Sequence, residues 1–313
     1  MNRVLVTGAS GCIGRHIVPQ LISRGWDVHA VRSPRSAAGT SPIEGVTWHA
    51  GDLLRTADAD SLVGAAAPTH LLHLAWYIAP GRWAQAPENF EWVQASLALM
   101  RAFKAHGGRR VVTAGSCLEY DWRYGYCSEA LTPCTPHTAY GACKHALQVL
   151  SAAMSRDSAM SSAWARIFFL YGPHEHPDRL VAAVVRSLLA GEPARVSHGR
   201  QVRDYLFVED VADAMIRLLE SDVTGPINVA SGQAVALRSI VEKIGERTGR
   251  SELIQFGAIP QAATDTPLVV AETSRLAAEL DWQPRWDLDR GVETTVAWWR
   301  RQMQAQSGQG ALR

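Results

Sequence analysis

The chain has little one-sided charge, no long apolar run and no paired cysteines. Lys+Arg is 31 and Asp+Glu is 30, a formal net charge of +1. That balance argues against a protein that grips a nucleic-acid backbone, since such proteins carry a basic excess. No apolar run approaches the roughly 18 residues of a membrane-spanning helix. The first residues, Met1 to Gly8, read straight into a strand, so neither an anchor nor a signal peptide is expected. The five cysteines, Cys12, Cys117, Cys127, Cys134 and Cys143, are odd in number and form no CxxC pair. They fit a reduced cytoplasmic protein better than a disulfide framework or a zinc site. What the sequence has in excess is tryptophan, eleven in 313 residues, read mainly as core or pocket wall because indole contributes large buried area. A hydrophobic fraction of 47% with 19% charged is that of an ordinary globular protein. The length allows one large α/β domain or two modest ones.

Strand signals recur at Val4–Thr7, Val28–Val31, Val46–His49, Leu71–Leu74, Arg110–Ala114 and Ala165–Phe169. Helical patterns lie between them at about Ile13–Ser23, Ala57–Ala66, Trp92–His106 and Tyr140–Ser155. This alternation predicts βαβ units and a parallel sheet. After Tyr171-Gly172-Pro173 the rhythm loosens into helices at Arg179–Ala190, about Asp210–Glu220 and Leu237–Thr248. That part reads as a smaller, mostly C-terminal substrate-binding region. The polar tail, Gln304–Arg313, is expected to fray.

Gly8, Gly11 and Gly14 stand between a strand and a helix. One glycine allows a tight turn, one lets the backbone approach a pyrophosphate, and one lets helix and strand pack closely. The helix N-terminus then offers N–H groups and a positive dipole end to phosphates. The pattern therefore predicts a dinucleotide site. The second strand ends Ala30-Val31-Arg32-Ser33-Pro34-Arg35, with two arginines and no carboxylate. An acid there would select NAD by its ribose hydroxyl, and an arginine accepts a 2′-phosphate, so NADP(H) is favoured over NAD(H). Asp52, after the third strand, is placed at the adenine.

Tyr140 and Lys144 lie near the start of a helix at a spacing of four, on one face and one turn apart. A lysine ammonium and an oxidised nicotinamide both favour the phenolate, so Tyr140 is expected to have a lowered pKa and to exchange a proton. Ser116 follows the strand Val111–Ala114 at the sheet's C-terminal edge, where its hydroxyl would hold a substrate oxygen.

Glycine loop, serine and YxxxK in this order resemble the extended short-chain dehydrogenase/reductase family, in its nucleotide-sugar epimerase/dehydratase/reductase group. The resemblance covers essentially the whole chain. It includes Thr7 to Gly14, His73-Leu74-Ala75, Ser116, Tyr140 to Lys144, Tyr171-Gly172-Pro173, Val202-Arg203-Asp204-Tyr205, Val208 to Ala212 and Leu280 to Pro284. It implies an α/β fold with a Rossmann-type doubly wound parallel sheet and a smaller C-terminal α/β substrate domain. The dinucleotide domain would comprise residues 1–165 plus about 203–230, and the nucleotide-sugar domain 166–202 and about 231–313. By resemblance Ser116, Tyr140 and Lys144 form the catalytic trio. Gly8, Ser10, Gly11, Cys12, Ile13 and Gly14 would meet the cofactor, joined by Arg32, Asp52, Leu53, Leu74, Ala75, Tyr140 and Lys144. Trp76, Ser116, Cys117, Tyr140, Phe169, Arg179 and Arg203 would meet a nucleoside-diphosphate sugar, with Arg203 on the diphosphate. For Arg203 the plainer alternative is an ion pair with Asp204. A homodimer through Trp92–His106 and Tyr140–Ser155 is expected by the same likeness, with no nucleic-acid or membrane partner.

Within the group, a 4,6-dehydratase carries an Asp-Glu pair directly after the serine position. Here Cys117 and Leu118 stand there and Glu119 comes one position late, which argues against that reaction. A 4-ketoreductase using NADPH is favoured by Arg32 and by Glu119-Tyr120, which looks like a segment of some 4-keto-6-deoxy sugar reductases. The alternative is a 4-epimerase with retained NAD. A non-enzymatic NADP-binding regulator is disfavoured because Ser116, Tyr140 and Lys144 are all present. The aromatic insert from Asp121 to Cys127 suggests a pocket of Trp76, Trp122, Tyr124 and Tyr126, either stacking on a ligand or shielding the nicotinamide. Cys117 and Cys143 read as packed thiols rather than nucleophiles.

Overall fold

The computed structural model describes residues 2–34, 43–156, 158–260 and 265–310, with side chains to 306. Arg35 lies outside the described residues. Seven parallel strands form the main sheet: β1 (Arg3–Thr7), β2 (Asp27–Arg32), β3 (Val46–Ala50), β4 (His70–His73), β5 (Arg110–Ser116), β6 (Ser161–Ile167) and β7 (Gly225–Val229). Their order is β3-β2-β1-β4-β5-β6-β7, with Val4 opposite Val28 on one side of β1 and opposite His70 on the other. The strand order reverses between β1 and β4. That is the position at which a doubly wound sheet opens a crevice beyond its carboxyl ends.

Helices cover both faces. On one side α1 (Cys12–Ser23) and α6 (Val208–Glu220) bury Ile17, Val18, Leu21, Met215 and Leu219 against the sheet. On the other, α2 (Asp58–Ala66), α3 (Glu88–Ala105) and α4 (Ala139–Arg156) bury Leu62, Leu99, Phe103 and Leu147. Strands buried on both faces read as continuous apolar runs without alternation, and β5 is buried along its whole length. Its first residue, Arg110, is kept there by donating to the backbone oxygens of Leu218, Leu219 and Val223 at the C-terminal end of α6. A cation at that end also meets the helix dipole favourably.

A second core is built by α5 (Leu180–Leu189), α7 (Leu237–Thr248) and α9 (Leu288–Gly310), through Val181, Val185, Ile240, Val292 and Trp299. The short helix α8 (Ser274–Leu280) packs back on the main sheet through Leu276 and Leu280. Between the two cores lies a four-stranded sheet of Val235–Ala236, Val202–Arg203, Leu268–Ala271 and Tyr126–Cys127. Phe169–Tyr171 pairs in parallel with Tyr205–Phe207.

Three expectations need correction. The strand expected at Ala165–Phe169 runs from Ser161 to Ile167, and the chain breaks pairing before the separate strand at Phe169. The third helix starts at Glu88, not Trp92, because Asn89 is buried for reasons of tertiary hydrogen bonding that periodicity does not carry. The tail is not irregular from Gln304, since α9 continues to Gly310; residues 311–313 lie outside the described residues. Among the described residues no helix is long and apolar enough to cross a membrane.

Candidate active site

The glycine loop fills the crevice at β1. Gly8 sits at φ +72°, and a Cβ there would lie 2.9 Å from the Ala75 nitrogen. A Cβ on Gly14 would lie 2.3 Å from the Gly8 oxygen, so helix and strand close on each other only because both residues lack one. Gly11 caps α1 with no side-chain bond, and its own N–H donates to the Gly8 oxygen at 3.0 Å. The first-turn N–H groups, from Cys12 to Gly14, are therefore left to an anionic ligand. This cradle fits a dinucleotide diphosphate. Ser10 is tied down by its carbonyl, which accepts from Arg15 at 2.9 Å. Ile13 packs on the α1/α6 core. The Cys12 thiol is pushed up to about 12 by burial, so it stays neutral beside the loop.

Across the crevice, the N–H groups of Leu74 and Ala75 each donate to the Thr7 hydroxyl oxygen at 3.2 Å. Thr7 in turn donates to His73 Nδ1 at 2.7 Å, leaving His73 Nε2–H to donate to Ser96 Oγ at 2.8 Å. Burial lowers His73 to about 3, so this is a neutral strut joining β1, β4 and α3. At the far end Arg32 lies over the Trp48 ring, 4.9 Å from its centroid. Asp52 is buried and accepts from the Leu54 N–H at 3.1 Å. Leu53 is buried in the α2/α3 core.

Ser116, Tyr140 and Lys144 come together where β5 meets α4. The Ser116 hydroxyl lies beside Tyr140 and favours its ionised form. Lys144 is buried, its Nζ 5.8 Å from the Tyr140 ring centroid. The expected lowering of the Tyr140 pKa is not found. Burial holds the phenol above its ordinary value, against the opposing effect of the neighbouring Ser116 hydroxyl. The neighbouring lysine is desolvated as well. Its ammonium donates to the Ala114 oxygen at 2.7 Å and faces the Trp76 ring at 3.9 Å. Burial brings its own pKa down to about 7. An oxidised nicotinamide would add the missing positive charge when bound.

Glu119 is turned away from this trio. Its Oε1 accepts from the Ser116 N–H and from Trp164 Nε1, both at 2.8 Å, and its Oε2 accepts from Arg166 at 2.9 Å. Ser116 Oγ accepts in return from the Leu118 N–H at 3.2 Å. Residues 117–119 are thus a short capped turn that presents the Ser116 hydroxyl to Tyr140. Cys117 is buried, with its thiol raised well above the ordinary range by burial.

The mouth is aromatic. Tyr140 is flanked by Trp76, 6.3 Å between centroids, and by Trp83, 5.1 Å, both edge-on. Arg179 heads α5 and lies 5.7 Å from the Trp83 centroid. Phe169 sits between Trp122 and Tyr205, 5.9 and 5.6 Å away. Of the aromatic insert only Trp122 turns inward, its Nε1 donating to the Cys117 oxygen at 2.8 Å. Tyr124 and Tyr126 are exposed, so they do not line the pocket as expected.

Arg203 is buried near Trp122 and Phe169 and pairs with Asp265, 62 residues away. Its pairing with Asp204 does not occur. Asp204 is fully buried and accepts instead from Ser231, Gly232 and Ala271. Two participants went unnoticed in the sequence. Trp83 belongs to no motif. Glu175, buried two residues past Tyr-Gly-Pro, has an Oε2 with no hydrogen-bond partner among the described residues.

A glycine cradle at the switch point, with serine, tyrosine and lysine at the next strand end, defines an extended short-chain dehydrogenase/reductase. The chain belongs to the NAD dependent epimerase/dehydratase family, whose model matches residues 4–230. It is 24% identical to UDP-glucuronic acid decarboxylase 1 of Arabidopsis thaliana over 305 residues, covering 94% of this chain and 69% of that one. To UDP-glucose 4-epimerase of Mycolicibacterium smegmatis it is 27% identical over 318 residues, covering 96% and 100%. Among solved structures it resembles MoeE5 in complex with UDP-glucose and NAD, at 30% identity and TM-score 0.83, covering 96% of this chain and 100% of MoeE5. MoeE5 was also solved with UDP-glucuronic acid and NAD.

Proposed function

We propose that this enzyme oxidises and re-reduces a single carbinol carbon of a UDP-linked sugar, as a 4-epimerase that retains its NAD. The observation that carries the reading is the isolation of the proton-exchanging trio. Beside Ser116, Tyr140 and Lys144 stand a neutral Cys117, an apolar Leu118 and a Glu119 bound into the core. Elimination of water needs a second acid–base pair, and these residues offer none. One proton exchanged at Tyr140 and one hydride shuttled by the bound nicotinamide complete a carbinol–ketone interconversion.

The chain's own residues have distinct tasks in this reading. Ser116 orients the sugar oxygen, Tyr140 takes and returns its proton, and Lys144 stabilises the phenolate. Arg203 and Arg179 are the cations available to the sugar-nucleotide diphosphate. The UDP-sugar and NAD bound by MoeE5, and the activity of the mycobacterial relative, support the substrate class. A second reading, an NADPH-dependent 4-ketoreductase, is favoured by the Glu119-Tyr120 likeness and by Arg32, whose guanidinium on Trp48 suits a 2′-phosphate. The exposed Phe90 of α3 and Val149 and Leu150 of α4 support assigning these helices to a homodimer contact.

The test is to denature purified enzyme and identify its nucleotide by mass spectrometry, then to incubate holoenzyme with UDP-glucose and UDP-glucuronic acid. Retained NAD and a C4-inverted product are expected, with turnover abolished in Tyr140→Phe. An empty site that takes up only NADPH, with no inverted product, would overturn the epimerase reading in favour of the reductase.

A further inference from the structure

Lys144 is 2% exposed, yet among the described residues no carboxylate pairs with its ammonium. Glu119, the acid that acts on it electrostatically, is bonded to Arg166. An ammonium has three donors, and the bond to Ala114 accounts for one. What covers the charge is Trp76, whose ring centroid lies 3.9 Å from Nζ. This is well inside the reach of a cation–π contact, and indole is the strongest such ring.

The indole is fixed in that pose. Its Nε1 donates to Asn89 Oδ1 at 2.8 Å, and Asn89 is itself held by its Nδ2 bonds to the Trp83 and Ala86 oxygens at 2.8 and 2.9 Å. Trp92 stacks on Trp76 at 6.2 Å, and Tyr140 meets it at an interplanar angle of 86°. Polar edge and ring faces are thus engaged within the protein. We propose that Trp76 is a positioning residue: its face keeps the buried Lys144 ammonium charged and fixed, and through that charge sets the readiness of Tyr140 to give up its proton. This rests on the Tyr140–Lys144 reading given above.

Of the other groups around the pair, Cys117 and His73 are neutral through burial, and α3 contributes Trp92 and Ser96, which carry no charge. Arg179 and Glu119 act on Tyr140 with opposite signs, Arg179 favouring and Glu119 opposing the phenolate, and neither contacts the Lys144 ammonium, which Trp76 covers. The sign follows. A π face favours the ammonium over the amine. Its removal lowers the Lys144 pKa further below about 7; in the NAD-loaded enzyme, where the nicotinamide charge brings the phenol down into the same range, Tyr140 then loses its positive neighbour and ionises later.

The experiment is a near-ultraviolet phenolate titration of the NAD-loaded enzyme, with the Tyr140→Phe titration subtracted to isolate Tyr140. Trp76→Leu is expected to shift the Tyr140 titration upward by about one unit or more, the equivalent of a desolvated cation–π contact. Trp76→Phe should recover much of the shift, and Trp76→Leu should add little to Lys144→Met. Ring-fluorinated tryptophan at position 76 keeps the shape while weakening the face, so it guards against a folding defect and should also shift the titration upward. An unmoved titration in the fluorinated protein, or a Phe variant no better than Leu, would overturn the proposal. Turnover retained in Tyr140→Phe would instead sink the functional reading and leave the Trp76 result standing.

Discussion

Replacing Glu119 with glutamine separates a structural carboxylate from a chemical one. In the wild type Oε1 accepts from Ser116 and Trp164 while Oε2 meets Arg166, and Glu119 is fully buried. Glutamine keeps the volume and an Oε1 able to accept both bonds, but it turns an NH2 toward the guanidinium. The loss is therefore the charge pair, and it leaves Arg166, itself 2% exposed, without its counter-ion. Breaking a buried pair on one side costs about 3–5 kcal/mol. In a protein of this size that corresponds to a fall in Tm on the order of 10 °C. Turnover per folded molecule should stay near wild type, since the Ser116 N–H keeps its acceptor. Removing both charges in Glu119→Gln/Arg166→Met should recover part of the loss, since apolar replacement of a whole buried pair is often near neutral. Thermal denaturation and initial rates on the same preparations decide the matter. An unchanged Tm with turnover lost would refute the reasoning and make Glu119 a participant in the chemistry.

The glycine cradle can be probed by contrast. Gly14→Ala puts a Cβ 2.3 Å from backbone and should cost about 1–3 kcal/mol while weakening NAD binding. Gly25→Ala, at φ +78° with nothing within 4 Å, should carry only left-handed strain of about 1–2 kcal/mol and leave the Kd for NAD unchanged by calorimetry. Arg203→Ala should weaken UDP binding by about tenfold or more, a charged hydrogen bond contributing about 1.5–3 kcal/mol; an unchanged Kd would remove Arg203 from the diphosphate site. Burial raises Glu175 from 4.5 to about 8, so the folded state holds a proton that the unfolded chain releases. Its contribution to stability is complete below pH 4.5 and is lost as the pH rises through about 8. Glu175→Gln should therefore gain Tm relative to wild type across that window, and a pH-independent difference would count against the shift.

The glycine loop was legible because turn chemistry is local. Gly8 and Gly14 are demanded by a positive φ and a close backbone approach within seven residues. Ser116, Tyr140 and Lys144 were legible for the same reason, a strand end and one helical turn. The limits of β6 were not, because Ser161-Ser162-Ala163-Trp164 is packed by its neighbours rather than marked by alternation. Long-range partnerships were the least visible. Nothing near Arg203 announces Asp265, and the adjacent Asp204 looked the better partner until its oxygens proved to be taken by Ser231, Gly232 and Ala271. The pose of Trp76 depends on Asn89, thirteen positions away and on another element.

The same trio serves several reactions across the family, so the reaction must be decided by what surrounds it. On the epimerase reading the deciding segment is the turn at residues 117–119. Ser116 is correctly presented only because Glu119 accepts its N–H and Ser116 Oγ accepts from Leu118. A carboxylate that caps this turn, and is further bound by Trp164 and Arg166, is held away from the pocket by three bonds. Structural and catalytic use of Glu119 are therefore mutually exclusive in this geometry. Moving an acid one position earlier, to Leu118, would place a carboxylate on a partly exposed side chain without disturbing the cap. On the epimerase reading, an eliminating enzyme on this scaffold would need acids at both 117 and 118, where this chain has Cys117 and Leu118.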